Sequence, residues 1–324
     1  MASKTFILCP GQGAQVVGMG KDFYESSPMA KGTFDTANDV LGFDIASLCF
    51  NGPEDRLNQT DISQPAIYTT SVAAYRAGLD VGVIDPSVIT AFAGLSLGEY
   101  TALFLGGVFT FEDGLKLVAA RGRFMQQAAV ATPSGMVALL GADEAMADKL
   151  CAENAQGEVL VPANYNAPGQ IVVSGSRAAC DRVIKAAEAA GLKASALKVA
   201  GAFHSPLMQS GADKMRAELD AATFAAPATT VYSNVTAKPH GDPASIKDLL
   251  VQQIVSPVRW EQTMRTLITD GGDRARFVEL APNRHLAGLA KRINRRLPIE
   301  SLSTVEGLRT KENLVPSPGT PGEG

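Results

Sequence analysis

The segment Gly94-Leu-Ser-Leu-Gly98 sets a serine between two glycines in the G-x-S-x-G spacing of a nucleophile elbow. A serine at the apex of a tight strand-to-helix turn holds its hydroxyl clear of the sheet, and the helix N-terminus beneath it favours developing negative charge. Such a hydroxyl can take an acyl group as a covalent ester, which makes Ser96 the candidate nucleophile. The competing reading is a serine that only caps a helix. The flanks favour chemistry: residues 87–94 (SVITAFAG) read as a buried strand, and 97–105 contain good helix formers with Glu99 in the first turn.

A serine hydroxyl needs a base to take its proton. The chain has three histidines. His240 falls in Lys-Pro-His-Gly-Asp-Pro and reads as part of a turn-rich surface loop, while His285 follows Pro282 at the start of a late helix. His204 lies in Gly201-Ala-Phe-His-Ser-Pro, after a predicted strand and among small and apolar residues, so it is the favoured base. The alternative for it is a core histidine satisfied by a backbone carbonyl.

Other chemistries fit less well. The Gly11-Gln-Gly13 turn follows a strand, but Val16 holds the last position of the dinucleotide fingerprint G-x-G-x-x-G, and no G-x-x-x-x-G-K-[ST] phosphate loop is present. Cys9, Cys49, Cys151 and Cys180 are scattered without C-x-x-C spacing, so they are expected to be reduced and buried, with no metal site.

The elements around these residues have an α/β texture. Residues 5–8 and 87–94 read as buried strands ending in glycine turns, and 112–127 as an amphipathic helix with Leu115, Val118 and Ala119 on one face despite Gly122. Between 131 and 200 the pattern changes to strand, Ala-rich helix, strand (170–173), Ala-rich helix and strand (194–199), which suggests a small ferredoxin-like insertion. The expected division is a large catalytic subdomain over 1–130 and 201–306, a small one over 131–200, and a disordered tail over 307–324, where Pro and Gly are dense.

With 324 residues, 46% of them hydrophobic, the chain can bury a large core, and its net charge of -4 argues against nucleic acid as a partner. No apolar run reaches the ~18 to 20 residues of a membrane span, and residues 1–13 lack the order of a secretory signal, so a cytoplasmic location is expected.

Seven blocks in order resemble the malonyl-CoA:acyl carrier protein transacylases: Pro10-Gly-Gln-Gly-Ala-Gln15, Gly94-Leu-Ser-Leu-Gly-Glu-Tyr100, Arg121-Gly-Arg-Phe-Met-Gln126, Asn164-Tyr-Asn-Ala-Pro-Gly-Gln170, Gly201-Ala-Phe-His204, Ser233-Asn-Val-Thr-Ala237 and Gln253-Ile-Val-Ser-Pro-Val-Arg-Trp260. The resemblance spans about residues 4–305. It implies an α/β-hydrolase-like large subdomain interrupted by a ferredoxin-like one. It also implies ping-pong transfer of malonyl from malonyl-CoA, through a malonyl-serine, to the phosphopantetheine thiol of acyl carrier protein, without a cofactor. A monomer supplying fatty acid biosynthesis is the expectation that follows.

Residue by residue, the resemblance makes Ser96 and His204 catalytic, the backbone N–H groups of Gln12 and Leu97 the oxyanion hole, and Arg121 the partner of the malonyl carboxylate. The carbonyl of Gln253 would orient His204, and Phe203 would favour malonyl over methylmalonyl. By its sequence setting alone, Arg121 reads as a surface arginine on an amphipathic helix. Leu95 departs from the histidine most bacterial members carry before the nucleophile, which removes any tuning by that group. Two rival functions share some of these features. A serine esterase or thioesterase would need an acid in the chain order Ser, acid, His, for which Asp113 and Asp181 are available; a non-catalytic carrier-protein-binding module would have no use for Ser96, His204, Gln12 and Arg121 together.

Overall fold

The structure, a computed structural model, describes residues 4–309. Its larger sheet is built from β1 (Thr5–Cys9), β2 (Ile89–Gly94), β7 (Thr230–Val231), β8 (Arg276–Leu280) and β9 (Ile299–Leu302), all parallel, in the order β7-β2-β1-β8-β9. All five residues of β1 are buried, because this central strand is covered on both faces, and an unbroken apolar run suits that position better than alternation. Phe6 of β1 and Phe277 of β8 stack at 5.0 Å on one face, with Trp260, Met264 and Leu286 around them. On the other face the Thr60–Asp80 helix, buried on nearly every side, packs against the Phe111–Ala131 helix.

The second sheet comprises β3 (Ser134–Leu140), β4 (Leu160–Ala167), β5 (Gln170–Ser176) and β6 (Lys193–Ala196), all antiparallel, in the order β4-β5-β3-β6. Helices Glu144–Ala155 and Arg177–Ala189 contribute Leu150, Cys151, Cys180 and Val183 to the core on one of its faces. This β-α-β-β-α-β arrangement is ferredoxin-like, as expected, with one strand more than the sequence suggested. The missed strand is β4. Pro162 and the polar run Asn164-Tyr-Asn obscure it, and Pro is tolerated there because β4 is an edge.

The two sheets meet at β4. Tyr165 N–H donates to Val258 C=O and Val258 N–H to Ala163 C=O, both at 2.9 Å, so a backbone ladder ties the smaller sheet to the larger unit. The expected tail boundary needs correction. Residues 307–309 belong to the Val305–Arg309 helix, where Leu308 is 4% exposed against the main core and Val305 N–H donates to Asp22 at 2.7 Å. One well-placed leucine outweighs the polar composition around it, since burying such a side chain contributes roughly 1.5 to 3 kcal/mol. The remainder of the expected tail, 310–324, lies outside the described residues. All four cysteines are free and buried.

Candidate active site

β1 and β2 run side by side and end together, so the turns that follow them share the carboxyl edge of the parallel sheet, where α/β folds open a crevice. Their contact is very close: a Cβ on Gly98 would lie 2.1 Å from the Cys9 carbonyl oxygen, and one on Gly11 would lie 2.3 Å from that of Leu95. Only glycine lets the backbones approach in this way. Ser96 sits at the apex between β2 and the Gly98–Leu105 helix with φ 53°, a left-handed conformation that a non-glycine residue holds only under tertiary constraint.

Asn234 provides that constraint. Its Oδ1 accepts from Ser96 N–H at 2.6 Å and its Nδ2 donates to Gly94 C=O at 2.7 Å, so one amide clips both sides of the elbow. The sequence block Ser233–Ala237 marked this stretch without revealing the role of its asparagine.

His204 also has a left-handed backbone, φ 58°, and its Nε2 lies 2.8 Å from Ser96 Oγ. Its Nδ1 is 2.7 Å from the carbonyl oxygen of Gln253. A carbonyl only accepts, so Nδ1 carries the proton and Nε2 presents its lone pair to the serine hydroxyl. Burial, and then the Arg121 cation, push the His204 pKa down to about 4, against the upward pull of the Gln253 carbonyl. The imidazole is therefore neutral at pH 7 and able to accept a proton.

Arg121 is 1% exposed, on the inner face of its helix, whereas Arg123 two positions on is exposed and lies over the Phe124 ring. The sequence reading of Arg121 as a surface residue fails because of Gly122. A Cβ there would stand 2.6 Å from Thr60 C=O, so the helix can press against the Thr60–Asp80 helix and carry its neighbour inward. Arg121 Nη1 donates to Gln64 Oε1 at 2.7 Å, and Nη2 donates to Gln253 Oε1 at 2.8 Å and to Ser96 Oγ at 3.0 Å. Gln64 is a site residue that no local pattern announced.

A cavity of about 600 Å³ opens over Ser96 and His204, lined also by Leu95, Gln12, Phe203, Met136, Asn164 and Asn166. It lies between the two sheets, and β4 and β5 supply amides to its wall. The N–H groups of Gln12 and Leu97, on the two apposed turns, take no part in the hydrogen bonds of the fold. His285 reaches the cavity wall as well. His240 does not: it is buried against Glu99 rather than on a surface loop, as the Pro and Gly around it had suggested. Among the described residues, no three His, Cys, Asp or Glu side chains cluster as a metal site requires.

Among the described residues, the hydrogen-bond partners of His204 are Ser96 and Gln253, not a carboxylate, and the acids available to an esterase triad are elsewhere: Asp113 pairs with Thr110 at a helix start and Asp181 is exposed. A base held by a carbonyl, a strained serine and a buried cation on its hydroxyl describe a site able to carry an acyl group as a serine ester. The Acyl transferase domain family model matches residues 5–310. The chain belongs to this family, and within it to the malonyl CoA-acyl carrier protein transacylases. It is 41% identical to that enzyme of Salmonella typhimurium over 88% of this chain and 91% of the relative, and 39% identical to that of Bacillus subtilis over 94% and 95%. The Coxiella burnetii malonyl CoA-acyl carrier protein transacylase superposes with a TM-score of 0.91 at 36% identity, covering 95% of this chain and 96% of that one. A type II PKS acyl-carrier protein in complex with its malonyl-transacylase matches with the same TM-score and identity over 96% and 100%.

Proposed function

We propose that the protein transfers malonyl from malonyl-CoA to the phosphopantetheine thiol of an acyl carrier protein through a malonyl ester of Ser96. The observation that carries this reading is the Arg121 guanidinium 3.0 Å from the Ser96 hydroxyl, because a buried cation beside the nucleophile calls for an acyl group that brings its own carboxylate. The malonyl carboxylate meets Arg121, and its thioester carbon is thereby held beside Oγ. As Oγ attacks, His204 Nε2 takes the hydroxyl proton and the carbonyl oxygen gains charge, which the N–H groups of Gln12 and Leu97 receive. Collapse breaks the carbon–sulfur bond, and the coenzyme A thiolate takes the proton from His204. The carrier thiol then gives its proton to His204 and attacks the ester carbon; the bond from that carbon to Oγ breaks, and Oγ takes the proton back from His204, which regenerates Ser96. Phe203 narrows the cavity beside His204 and disfavours a branched acyl group.

Gln253 holds the histidine through its carbonyl, which stabilises an imidazolium less than a carboxylate would. Transfer to a thiol is thus favoured over hydrolysis. Among the described residues, we assign the large catalytic subdomain to 4–130 and 201–309 and the small one to 131–200, with the active site between them. We also propose a cytoplasmic monomer serving fatty acid biosynthesis; among the described residues no helix is long and apolar enough to cross a membrane. Incubation with malonyl-CoA in the absence of carrier protein, followed by peptide mass spectrometry, tests the mechanism. The expected result is a malonyl adduct on Ser96, and an unmodified Ser96 or label on another residue would refute it.

A further inference from the structure

Gln253 carries three connections of the site at once. Its main-chain oxygen holds His204, its Oε1 accepts from Arg121, and its Nε2 donates to Ser96 C=O at 2.9 Å. The side-chain amide can serve Arg121 only in this orientation. Turned over, it would present an N–H2 donor to the guanidinium, which has only donors to offer.

Two acceptors oppose the turn by holding Nε2 on their side: Ser96 C=O and Glu99, the latter with its side chain fully buried. Its Oε2 accepts from Gln253 Nε2 at 2.5 Å and from Asn234 N–H at 3.2 Å, while Oε1 lies 2.7 Å from His240 Nε2. Three donors thus converge on one carboxylate. The carboxylate only accepts, so His240 carries its proton on Nε2; its Nδ1 has no hydrogen-bond partner, and no other contact would oppose a proton there if the group facing Nε2 became a donor.

We propose that Glu99, backed by His240, is a positioning residue for acyl-group selectivity: it fixes the Gln253 amide so that an acceptor faces Arg121, which keeps the guanidinium aimed at the substrate carboxylate. It acts as an acceptor within reach of Gln253, and its charge is secondary. The inference rests on the malonyl-transfer reading above.

Reach and charge separate in two variants. Glu99→Asp keeps the charge but withdraws the carboxylate by about 1.5 Å, the length of one carbon–carbon bond. Glu99→Gln keeps the reach, and it can still accept from Gln253 if its N–H2 turns toward His240 and His240 moves its proton to Nδ1. The measurement is kcat/KM for acylation by malonyl-CoA and by acetyl-CoA in the full chain, with folding checked by circular dichroism. Glu99→Asp is expected to lower the malonyl-to-acetyl ratio by about tenfold or more, the scale of one hydrogen bond to a charged group, while Glu99→Gln stays within about threefold of the parent. Nitrogen-15 NMR of His240 should show Nε2–H in the parent and Nδ1–H in Glu99→Gln. An unchanged ratio in folded Glu99→Asp, an equal fall in Glu99→Gln, or an unchanged His240 tautomer overturns the proposal. Should Glu99→Asp not fold, the Glu99→Gln ratio and tautomer decide. A parent enzyme without malonyl preference would sink the reading beneath it instead.

Discussion

The carbonyl oxygen of Gln253 stands 2.7 Å from His204 Nδ1, in the place where a carboxylate orients the histidine of a serine hydrolase. Burial, and then the Arg121 cation, disfavour the imidazolium and push its pKa down to about 4, and the neutral Gln253 carbonyl, without a counter-charge, offsets them only in part. Acylation of Ser96 should therefore hold its rate as pH falls through 6.5 and lose half of it only near pH 4. Single-turnover rates between pH 4 and 8 check this, and half-loss near 6.5 would contradict it. Stability follows the same sign. The unfolded chain binds the proton first, so the contribution of His204 is complete above about 6.5 and is lost as pH falls toward about 4.

Arg121→Ala should lower kcat/KM for malonyl-CoA by about a hundredfold and leave acetyl-CoA within a few-fold, as expected for loss of a charge-assisted, two-point contact. Equal losses for the two substrates would refute the role. Because Arg121 helps to depress the His204 pKa, the acid limb of the variant should also move to higher pH. Arg121→Lys should restore little, since an ammonium cannot reach Gln64, Gln253 and the substrate in one plane.

The legible parts of this site were the local ones. Ser96 announces itself through Gly94 and Gly98, because the elbow is a five-residue event whose steric demands fall on its own neighbours. His204 could be singled out from three histidines by its small, apolar surroundings. The alternative of a histidine bonded to a backbone carbonyl proved to be part of the same answer. Arg121 was legible only through family resemblance, and the physical cue beside it, Gly122, has meaning only once the Thr60–Asp80 helix is packed there. Gln64, Asn234 and the Glu99–His240 contact were hidden for a related reason. Each is made by segments 57 to 141 residues apart, and the spacing within any one of them carries no trace of it. In the fold, β4 escaped notice because polar side chains that face a cavity break the apolar alternation of a strand.

Gly98→Ala should damage both folding and acylation. The added methyl group would meet backbone atoms of Cys9 and Pro10, at 2.1 to 2.8 Å, and backbone cannot swing aside as a side chain can. Overpacking of this kind costs about 1 to 3 kcal/mol or more, and relief requires the Gln12 turn to move away from the elbow. Urea midpoints and the yield of the Ser96 adduct measure the two effects. A variant with normal stability and a full acylation rate would show that the turns need not touch.

Asn234→Ala isolates the backbone strain at the nucleophile. The substitution removes an acceptor from Ser96 N–H, which is partly buried, and a donor from Gly94 C=O, which is buried, and leaves Ser96, His204 and Arg121 chemically intact. The cost in stability should be about 1 to 3 kcal/mol, the range for unsatisfied buried groups. Without the clip, the left-handed backbone of Ser96 can relax, and Oγ then swings away from His204 Nε2. The acylation rate constant should fall by about tenfold or more while the KM for malonyl-CoA stays near the parent value, because Arg121 keeps its contacts to Gln64 and Gln253. Asn234→Asp should be no better, since its carboxylate would face the Gly94 carbonyl oxygen with no proton to donate. Burst-phase kinetics on both variants distinguish this from a binding defect. A raised KM with an unchanged acylation rate would place Asn234 in substrate binding instead.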